Sequence, residues 1–168
     1  MDTIPKPAGL EKFTLPDHAR VWIFQADRFL TDEETAKLEE AGERFAAQWR
    51  AHGKELSAEF GTVDNLFVVM AIDEKVEGAS GCSIDTFMRF IQDVERELGL
   101  TLTNRLCFAG VVDGETKVIR SSEARAYVDA GSLHGETPVF DTLVSSLGEL
   151  RNAWLKPASE LWVKRLLG

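Results

Sequence analysis

The seven residues from Leu66 to Ile72 are all apolar, and this run constrains the fold more than any other part of the chain. A strand with one face in water alternates apolar and polar residues, whereas this run has no alternation. It is also far shorter than the roughly 20 apolar residues that a membrane-spanning helix needs. The run therefore predicts a central β-strand with both faces covered, which leaves the sheet at Asp73.

The stretch before this run predicts a strand, a helix and a second strand. Val21 to Phe24 is a β-branched and aromatic cluster of strand length, and the Thr31–Glu34 capping box after it starts a helix. Gly53 is the expected residue just past the end of this helix, whose apolar stripe is Leu38, Ala41, Phe45 and Trp49. Alternation over residues 56–60 predicts the next strand, with a hairpin connection at 62–65.

The stretch after the run predicts a helix and a β-hairpin. Ser83 is the expected N-cap of the helix and Gly99 its expected end, and the apolar stripe is Ile84, Phe87, Ile91, Val94 and Leu98. Asp113-Gly114 lies between two strand-like stretches, and this dipeptide is a strong hairpin signal. The remaining chain predicts C-terminal helices over residues 122–130, 141–154 and 159–167.

The order of these elements, β-α-β-β-α-β-β followed by helices, predicts an α+β fold. The first six elements match a ferredoxin-like (split βαβ) core, in which a five-stranded, mainly antiparallel sheet has its helices packed on one face. The length of 168 residues fits a single domain. Residues 1–19 are expected to be an irregular lead-in because they contain Pro5, Pro7, Gly9 and Pro16 and show no periodicity.

The net charge and the cysteine content limit the classes of partner and the cellular compartment that we expect. The chain has 19 Lys and Arg residues against 28 Asp and Glu residues, and its net charge of −9 repels nucleic acids and anionic membranes. The two cysteines, Cys82 and Cys107, are too few for a disulfide scaffold, and the N-terminal stretch has no secretory pattern. We therefore expect a cytoplasmic protein with reduced thiols, and a homo-oligomer is left open.

No cofactor or metal is expected. The sequence lacks the glycine-rich phosphate loops, the Cys-x-x-Cys pairs and the His-Glu-x-x-His pattern that bind nucleotides or zinc. His18, His52 and His134 are widely separated, and none has a second ligand at helical spacing.

The stretch between the central strand and the second helix is the expected binding site. Free backbone N–H groups and the helix dipole favour negative charge at a helix N-terminus, so either a thiolate or an anionic ligand is stabilised there. We expect this site to bind a small ligand or a protein partner through Asp73, Gly81, Cys82, Ser83, Asp85 and Arg89. A purely structural explanation covers the same residues, as a turn, a packed thiol, a cap, a dipole partner and an i,i+4 ion pair.

Two alternatives come from other classes of protein. In one, the protein is a thiol-dependent enzyme in which Cys82 is the nucleophile and His52 or His134 is the base, with Asp73 or Asp85 orienting the imidazole. In the other, it is a structural subunit of a larger assembly. Among the four tryptophans, Trp162 is the expected interface anchor, because the others fall on predicted core faces or strands.

The segment Gly81-Cys82-Ser83-Ile84-Asp85, which follows an apolar strand ending in Ile72-Asp73 and an upstream Trp49/His52 pair, resembles a small uncharacterised bacterial protein family. The resemblance extends from the first strand to the segment Pro138–Asp141. Some members of that family carry a transporter-ATPase label, which the lack of a phosphate-binding loop argues against in this chain. The family has no established activity, so the resemblance implies a bacterial protein and assigns no reaction.

Overall fold

The computed structural model describes residues 4–168. Its α-helices are α1 (Asp32–Gln48), α2 (Gly81–Leu98), α3 (Ala124–Asp129) and α4 (Leu147–Asn152). Its strands are β1 (Arg20–Gln25), β2 (Arg50–Ala51), β3 (Lys54–Glu55), β4 (Ala58–Val63), β5 (Phe67–Ile72), β6 (Cys107–Val112), β7 (Glu115–Arg120), β8 (Pro138–Phe140) and β9 (Leu155–Pro157). Short 3-10 helices cover Leu10–Lys12, Ser121–Glu123, Ala158–Glu160 and Trp162–Leu166. This mixture of helices and antiparallel sheets confirms the α+β class.

β5 is the central strand that the apolar run predicts. It lies between β1 and β4 in a three-stranded antiparallel sheet, and all its residues are buried. On one face, aromatic rings of the sheet contact rings of α1 and α2; these residues are Trp22, Phe24, Phe60, Phe45, Trp49, Phe87 and Phe90. On the other face, the Phe67 ring lies 4.9 Å from that of Phe140 and 4.7 Å from that of Trp154, centroid to centroid. Both faces of β5 are therefore covered, with α1 and α2 on the same one.

The prediction of one five-stranded sheet with a ferredoxin-like core is not confirmed. β1 and β4 are both antiparallel to β5, so they run parallel to each other on either side of it, as in a split βαβ unit. However, β6 and β7 belong to a second, four-stranded sheet of order β7-β6-β8-β9, and β2 and β3 form a separate hairpin. The outer edge of β1 is taken by the segment before α4, where Val21 N–H donates to Ser145 O at 3.0 Å and Arg20 bridges to Ser146.

The first described residues, 4–19, are tied to the C-terminal part of the chain. Phe13 is buried in the main core. The Arg151 guanidinium of α4 donates to the carbonyl oxygens of Phe13 and Leu15 at 2.9 and 3.0 Å and to the Asp17 carboxylate at 2.6 Å. Arg151 and Asp17 are 134 positions apart in the sequence. The main core therefore needs residues from both ends of the described chain.

The α1 helix begins as predicted and ends earlier than predicted. Glu34 N–H donates to the Thr31 hydroxyl at 3.1 Å, and Thr31 N–H donates to the Glu34 carboxylate at 2.9 Å, which confirms the capping box. The prediction that Gly53 follows the helix end is wrong, because α1 stops at Gln48. Gly53 lies instead in the turn of the β2–β3 hairpin, with positive φ (75°) like its neighbour His52 (53°).

The α2 helix starts one turn earlier than predicted, because its N-cap is Ser80 and not Ser83. Ser83 is the third residue of the helix and completes a reciprocal pair, in which Ser83 N–H donates to the Ser80 hydroxyl and Ser80 N–H donates to the Ser83 hydroxyl. The familiar sequence signal for such a pair has Glu or Gln at the third position. A serine there does not reveal which of the two residues is the cap.

The C-terminal predictions are right about the hairpin and wrong about the longest helix. Asp113 and Gly114 both have positive φ, 53° and 77°, and form the two-residue turn between β6 and β7. The helix expected over 141–154 is interrupted, since α4 is limited to Leu147–Asn152 and β9 begins at Leu155. The segment expected at 159–167 forms 3-10 helices, and that at 122–130 is a 3-10 turn followed by α3.

Replacing Val69 by aspartate should prevent recovery of folded protein. Val69 is 0% exposed, and an unpaired carboxylate in such a place costs several kcal/mol against a total stability of about 5–15 kcal/mol. Val76→Asp is the matched control, because Val76 is 64% exposed in the loop after β5. Soluble yield and circular dichroism of the two variants measure the difference, and equal yields would contradict the central position of β5.

Acid should weaken the start of α1, because Glu34 is bound as an anion. Hydrogen bonds from the Arg28 guanidinium, at 2.8 Å to each carboxylate oxygen, are the largest cause that lowers the pKa of Glu34 from 4.5 to about 2. Since the folded pKa lies below the unfolded one, the stabilisation is complete above about pH 4.5 and is lost as the pH falls toward 2. Glu34→Gln should therefore show a smaller loss of urea stability over this interval than the parent protein, and parallel pH profiles would refute the assignment.

Candidate functional site

The predicted junction site begins with an aspartate that is already engaged. Asp73 Oδ1 lies 2.9 Å from His18 Nε2 and accepts a hydrogen bond from Lys75 N–H at 3.0 Å. The contact with His18 is the largest cause that lowers the pKa of Asp73. This carboxylate therefore fixes the loop after β5 to the segment before β1. No local sequence pattern indicates this pair, because His18 and Asp73 are 55 positions apart in the chain.

The N-terminus of α2 presents an exposed thiol. Cys82 is exposed and free, and its Sγ has no hydrogen-bond partner among the described residues. At Gly81, which is also exposed, no atom lies within 4 Å of where a Cβ would stand. Ser83 is buried, and its carbonyl oxygen accepts a hydrogen bond from Trp49 Nε1 at 2.9 Å. Among residues 81–83, only Gly81 and Cys82 are therefore exposed to a ligand.

The other predicted site residues do not converge on Cys82. Asp85 and Arg89 are both exposed on α2, and they form no ion pair with each other in the described structure. His52 is exposed in the β2–β3 turn, and His134 lies in the loop between α3 and β8. Neither imidazole hydrogen-bonds to the Cys82 thiol within residues 4–168. The thiol-enzyme alternative therefore stays a prediction without an assembled catalytic pair.

His134 borders a small cleft of about 210 Å³ beside the Asp113-Gly114 turn. Its Nδ1 accepts a hydrogen bond from Glu136 N–H at 3.2 Å, and its own backbone N–H donates to the Thr137 hydroxyl at 2.9 Å. Both bonds join residues of the loop between α3 and β8. The His134 imidazole therefore already has a hydrogen-bond partner within its own loop.

A larger cleft, of about 250 Å³, lies where the two sheets meet, and the sequence analysis did not locate it. It is bounded by the end of β1, the start of β6, the segment after β8 and the last 3-10 helices. Its walls join the two hydrophobic clusters of the protein, since Phe140 belongs to the main core and Phe108 to the smaller one. The lining residues are Gln25, Cys107, Phe108, Phe140, Asp141, Thr142, Leu143, Glu160, Leu161 and Trp162.

A glutamine side chain whose carboxamide oxygen is open to water lines this cleft. Gln25 is 7% exposed, and its only side-chain hydrogen bond within the described residues is a long one, from Nε2 to Cys107 Sγ at 3.7 Å. Gln25 Oε1 accepts no hydrogen bond from the described residues. Because this oxygen is accessible to water, it is available to accept a hydrogen bond from a donor group on a bound molecule.

Cys107 contributes a neutral thiol to the same wall. Burial is the largest cause that raises the pKa of Cys107, and the negative charge of Asp27 raises it further. Its Sγ lies 3.8 Å from Asn104 O as a weak donor. Because a nucleophilic cysteine needs a lowered pKa, Cys107 is suited to contact a ligand and not to attack one.

Two carboxylates, those of Asp141 and Glu160, line the cleft. Asp141 is neutralised by Lys156, whose Nζ lies 2.5 Å from Asp141 Oδ2; this hydrogen bond is the largest cause that raises the pKa of Lys156. Glu160 is exposed and forms no ion pair with any described residue. Trp162 is 39% exposed and stands edge-on to Phe108, with ring centroids 5.9 Å apart. The cleft therefore has a mixed polar and apolar lining, and the Glu160 carboxylate in it lies within electrostatic reach of Lys156.

Comparison with protein-family models, curated proteins and solved structures found no match for this chain. The resemblance of the Gly-Cys-Ser-Ile-Asp segment to a bacterial family therefore stays a prediction.

Two further findings on the described residues concern membrane-spanning helices and metal-ligating side chains. None of the helices within residues 4–168 is both long enough and apolar enough to span a membrane. The same residues contain no group of three or more metal-ligating side chains.

Cys82 should react with iodoacetamide in the folded protein, and Cys107 should not. Cys82 is exposed, whereas Cys107 is 7% exposed and has a raised pKa. Alkylation of native protein followed by peptide mass spectrometry measures both rates, and unfolded protein is the control in which both react. Equal native rates would contradict the burial of Cys107.

The same assay tests the thiol-enzyme alternative. His52→Ala and His134→Ala should leave the rate of Cys82 alkylation unchanged, because neither imidazole contacts the thiol by a hydrogen bond. A slower reaction in either variant would show that the histidine activates Cys82 and would favour the enzyme.

Proposed function

We propose that this protein binds a small molecule in the cleft between β1, β6 and the C-terminal 3-10 helices. The observation that carries the proposal is the cleft at the junction of the two sheets, with the Gln25 carboxamide among its mostly hydrophobic lining residues. Gln25 Oε1 accepts no hydrogen bond from the described residues and is open to water, since it is not one of the buried atoms that lack a partner. A donor group on a ligand therefore replaces water at this oxygen and fixes the orientation of the ligand.

The walls and the volume define the kind of ligand. Phe140 of the main hydrophobic cluster and Phe108 and Leu161 of the smaller one supply an apolar surface, together with the exposed side chains of Leu143 and Trp162. A few polar groups among apolar walls are typical of small-molecule sites, which usually measure roughly 300–1,000 Å³. At about 250 Å³ the cleft is smaller. The ligand is therefore a compact molecule with an apolar part and an N–H or O–H donor that reaches Gln25.

The exposed start of α2 remains a second candidate site, for a protein partner or a small anion. It is supported by the exposure of Gly81 and Cys82 in the first turn of an 18-residue helix. The residues of that site are those expected from the sequence, and a homo-oligomer or a larger assembly formed there is part of the same proposal. We also propose that the protein works in the cytoplasm, where both thiols stay reduced.

Gln25→Leu should separate ligand binding from folding. Leucine has a similar size and removes a carboxamide whose only hydrogen bond to the described residues is a long one, so the free variant should have a stability close to that of the parent. A panel of compact molecules with N–H or O–H donors is titrated into both proteins, and binding is measured from the chemical shifts of the backbone amides of β6 and of the Trp162 indole. The variant should bind these molecules at least about tenfold more weakly, because a hydrogen bond of about 1.4 kcal/mol is lost.

Gln92→Leu is the matched control, because Gln92 is exposed on α2. It should bind the same compounds as the parent protein. The proposal is wrong if no compound shifts the cleft resonances, or if Gln25→Leu binds them as tightly as the parent does.

A further inference from the structure

Three exposed apolar side chains lie at the cleft between the two sheets or next to its lining. Leu143 and Trp162 line the cleft and are 83% and 39% exposed, and Leu106, which directly precedes the lining residue Cys107, is 68% exposed. Single exposed apolar residues are normal on a monomer, whereas several around one depression are typical of a protein–protein contact. Tryptophan is among the residue types enriched at the energetic centre of such contacts. We call Leu106, Leu143 and Trp162 the apolar rim.

Charged side chains of opposite sign flank Trp162. Glu160 lines the same cleft and is exposed. Arg165 is exposed three residues after Trp162 in the same 3-10 helix, where side chains three positions apart lie on the same side. Neither Glu160 nor Arg165 forms an ion pair within residues 4–168. Lys156 lies within electrostatic reach of Glu160, but its ammonium group is bound to Asp141. Trp162 is therefore flanked by an acid and a base that are both available to a partner.

This order of charges is complementary to itself. In a contact with two-fold symmetry every pair of residues occurs twice, because the same surface is used by both copies. When two such segments meet in antiparallel orientation at Trp162, Glu160 of each copy faces Arg165 of the partner subunit. Arginine is also the cation best suited to bind a carboxylate at an interface, since its planar group matches the two carboxylate oxygens.

The C-terminal stretch is also the part of this acidic chain at which two copies repel each other least. Residues 151–168 contain four Lys and Arg residues and one Glu, whereas the whole chain has a net charge of −9. Like net charges oppose association, and they do so most where the surface carries the excess charge. A second copy therefore fits the apolar rim better than it fits the acidic remainder of the surface.

We infer that the apolar rim binds a second copy of this chain, in a two-fold dimer that pairs Glu160 of each copy with Arg165 of the partner subunit. The second copy then lies over the mouth of the cleft. The dimer does not require a ligand, so the inference goes beyond the proposed function. It also places the contact between copies away from the exposed start of α2.

A charge swap tests this dimer, with sedimentation equilibrium at low ionic strength as the measurement. Glu160→Arg and Arg165→Glu should each raise the dimer dissociation constant at least about tenfold, because each substitution brings two pairs of like charges together. The double variant restores both pairs with the charges exchanged, and it should dimerise as the parent does. Glu97→Arg is the matched control, since Glu97 is an exposed glutamate at the far end of α2, and it should leave the dissociation constant unchanged.

Leu143→Ser tests the apolar part of the contact. Because Leu143 is 83% exposed, the variant should fold like the parent, with the same circular dichroism, and dimerise several-fold more weakly. The inference is wrong if the parent is monomeric at every concentration, or if the dimer withstands the single charge reversals or Leu143→Ser. It is equally wrong if the double variant dimerises no better than the single ones. Ligand binding by the cleft is measured separately, with the donor panel and Gln25→Leu, so it stands or fails independently.

Discussion

Burial of β5 on both faces is the constraint on which the rest of the structure depends. One face is covered by the aromatic side chains that α1 and α2 direct at the sheet, and those helices come from the stretches just before and after the strand. The opposite face is covered by Phe140 and Trp154, which belong to the last third of the chain. Phe140 lies in the second sheet and Trp154 directly precedes a strand of it, so the two sheets meet at this face of β5. The proposed ligand cleft lies at the junction of the two sheets.

Local signals predicted the elements of this fold, and they did not predict how the elements pair. The apolar run of β5, the Thr31–Glu34 capping box and the Asp113-Gly114 turn each depend on residues close in sequence, and each is confirmed. The assignment of β6 and β7 to a second sheet depends on which strand edge is free, and no local pattern encodes this. The three-residue strands β8 and β9 are too short to show alternation, and their residues fall between the predicted helices and were assigned to no element.

The two candidate sites also differ in whether their residues are continuous in the sequence. The junction before α2 was found because its residues form one continuous stretch, although the structure leaves only Gly81 and Cys82 exposed near its helix start. The cleft was not found, because its lining comes from four separate parts of the chain. Trp162 was the one cleft residue singled out in advance, as an interface anchor. Gln25 is the last residue of β1, after four apolar residues, and a polar residue at the end of a strand does not by itself indicate a binding site.

The link between the two ends of the chain also bears on how the protein is made. Arg151 and Asp17 pair across 134 positions, and the outer edge of β1 is completed by Ser145 and Ser146. Contacts between such distant residues form slowly, since the entropy of closing a long loop is lost before they add stability. During translation, the apolar second face of β5 stays open until the residues that cover it have left the ribosome. Until then this face is an exposed apolar surface of the kind that makes incomplete chains prone to aggregation.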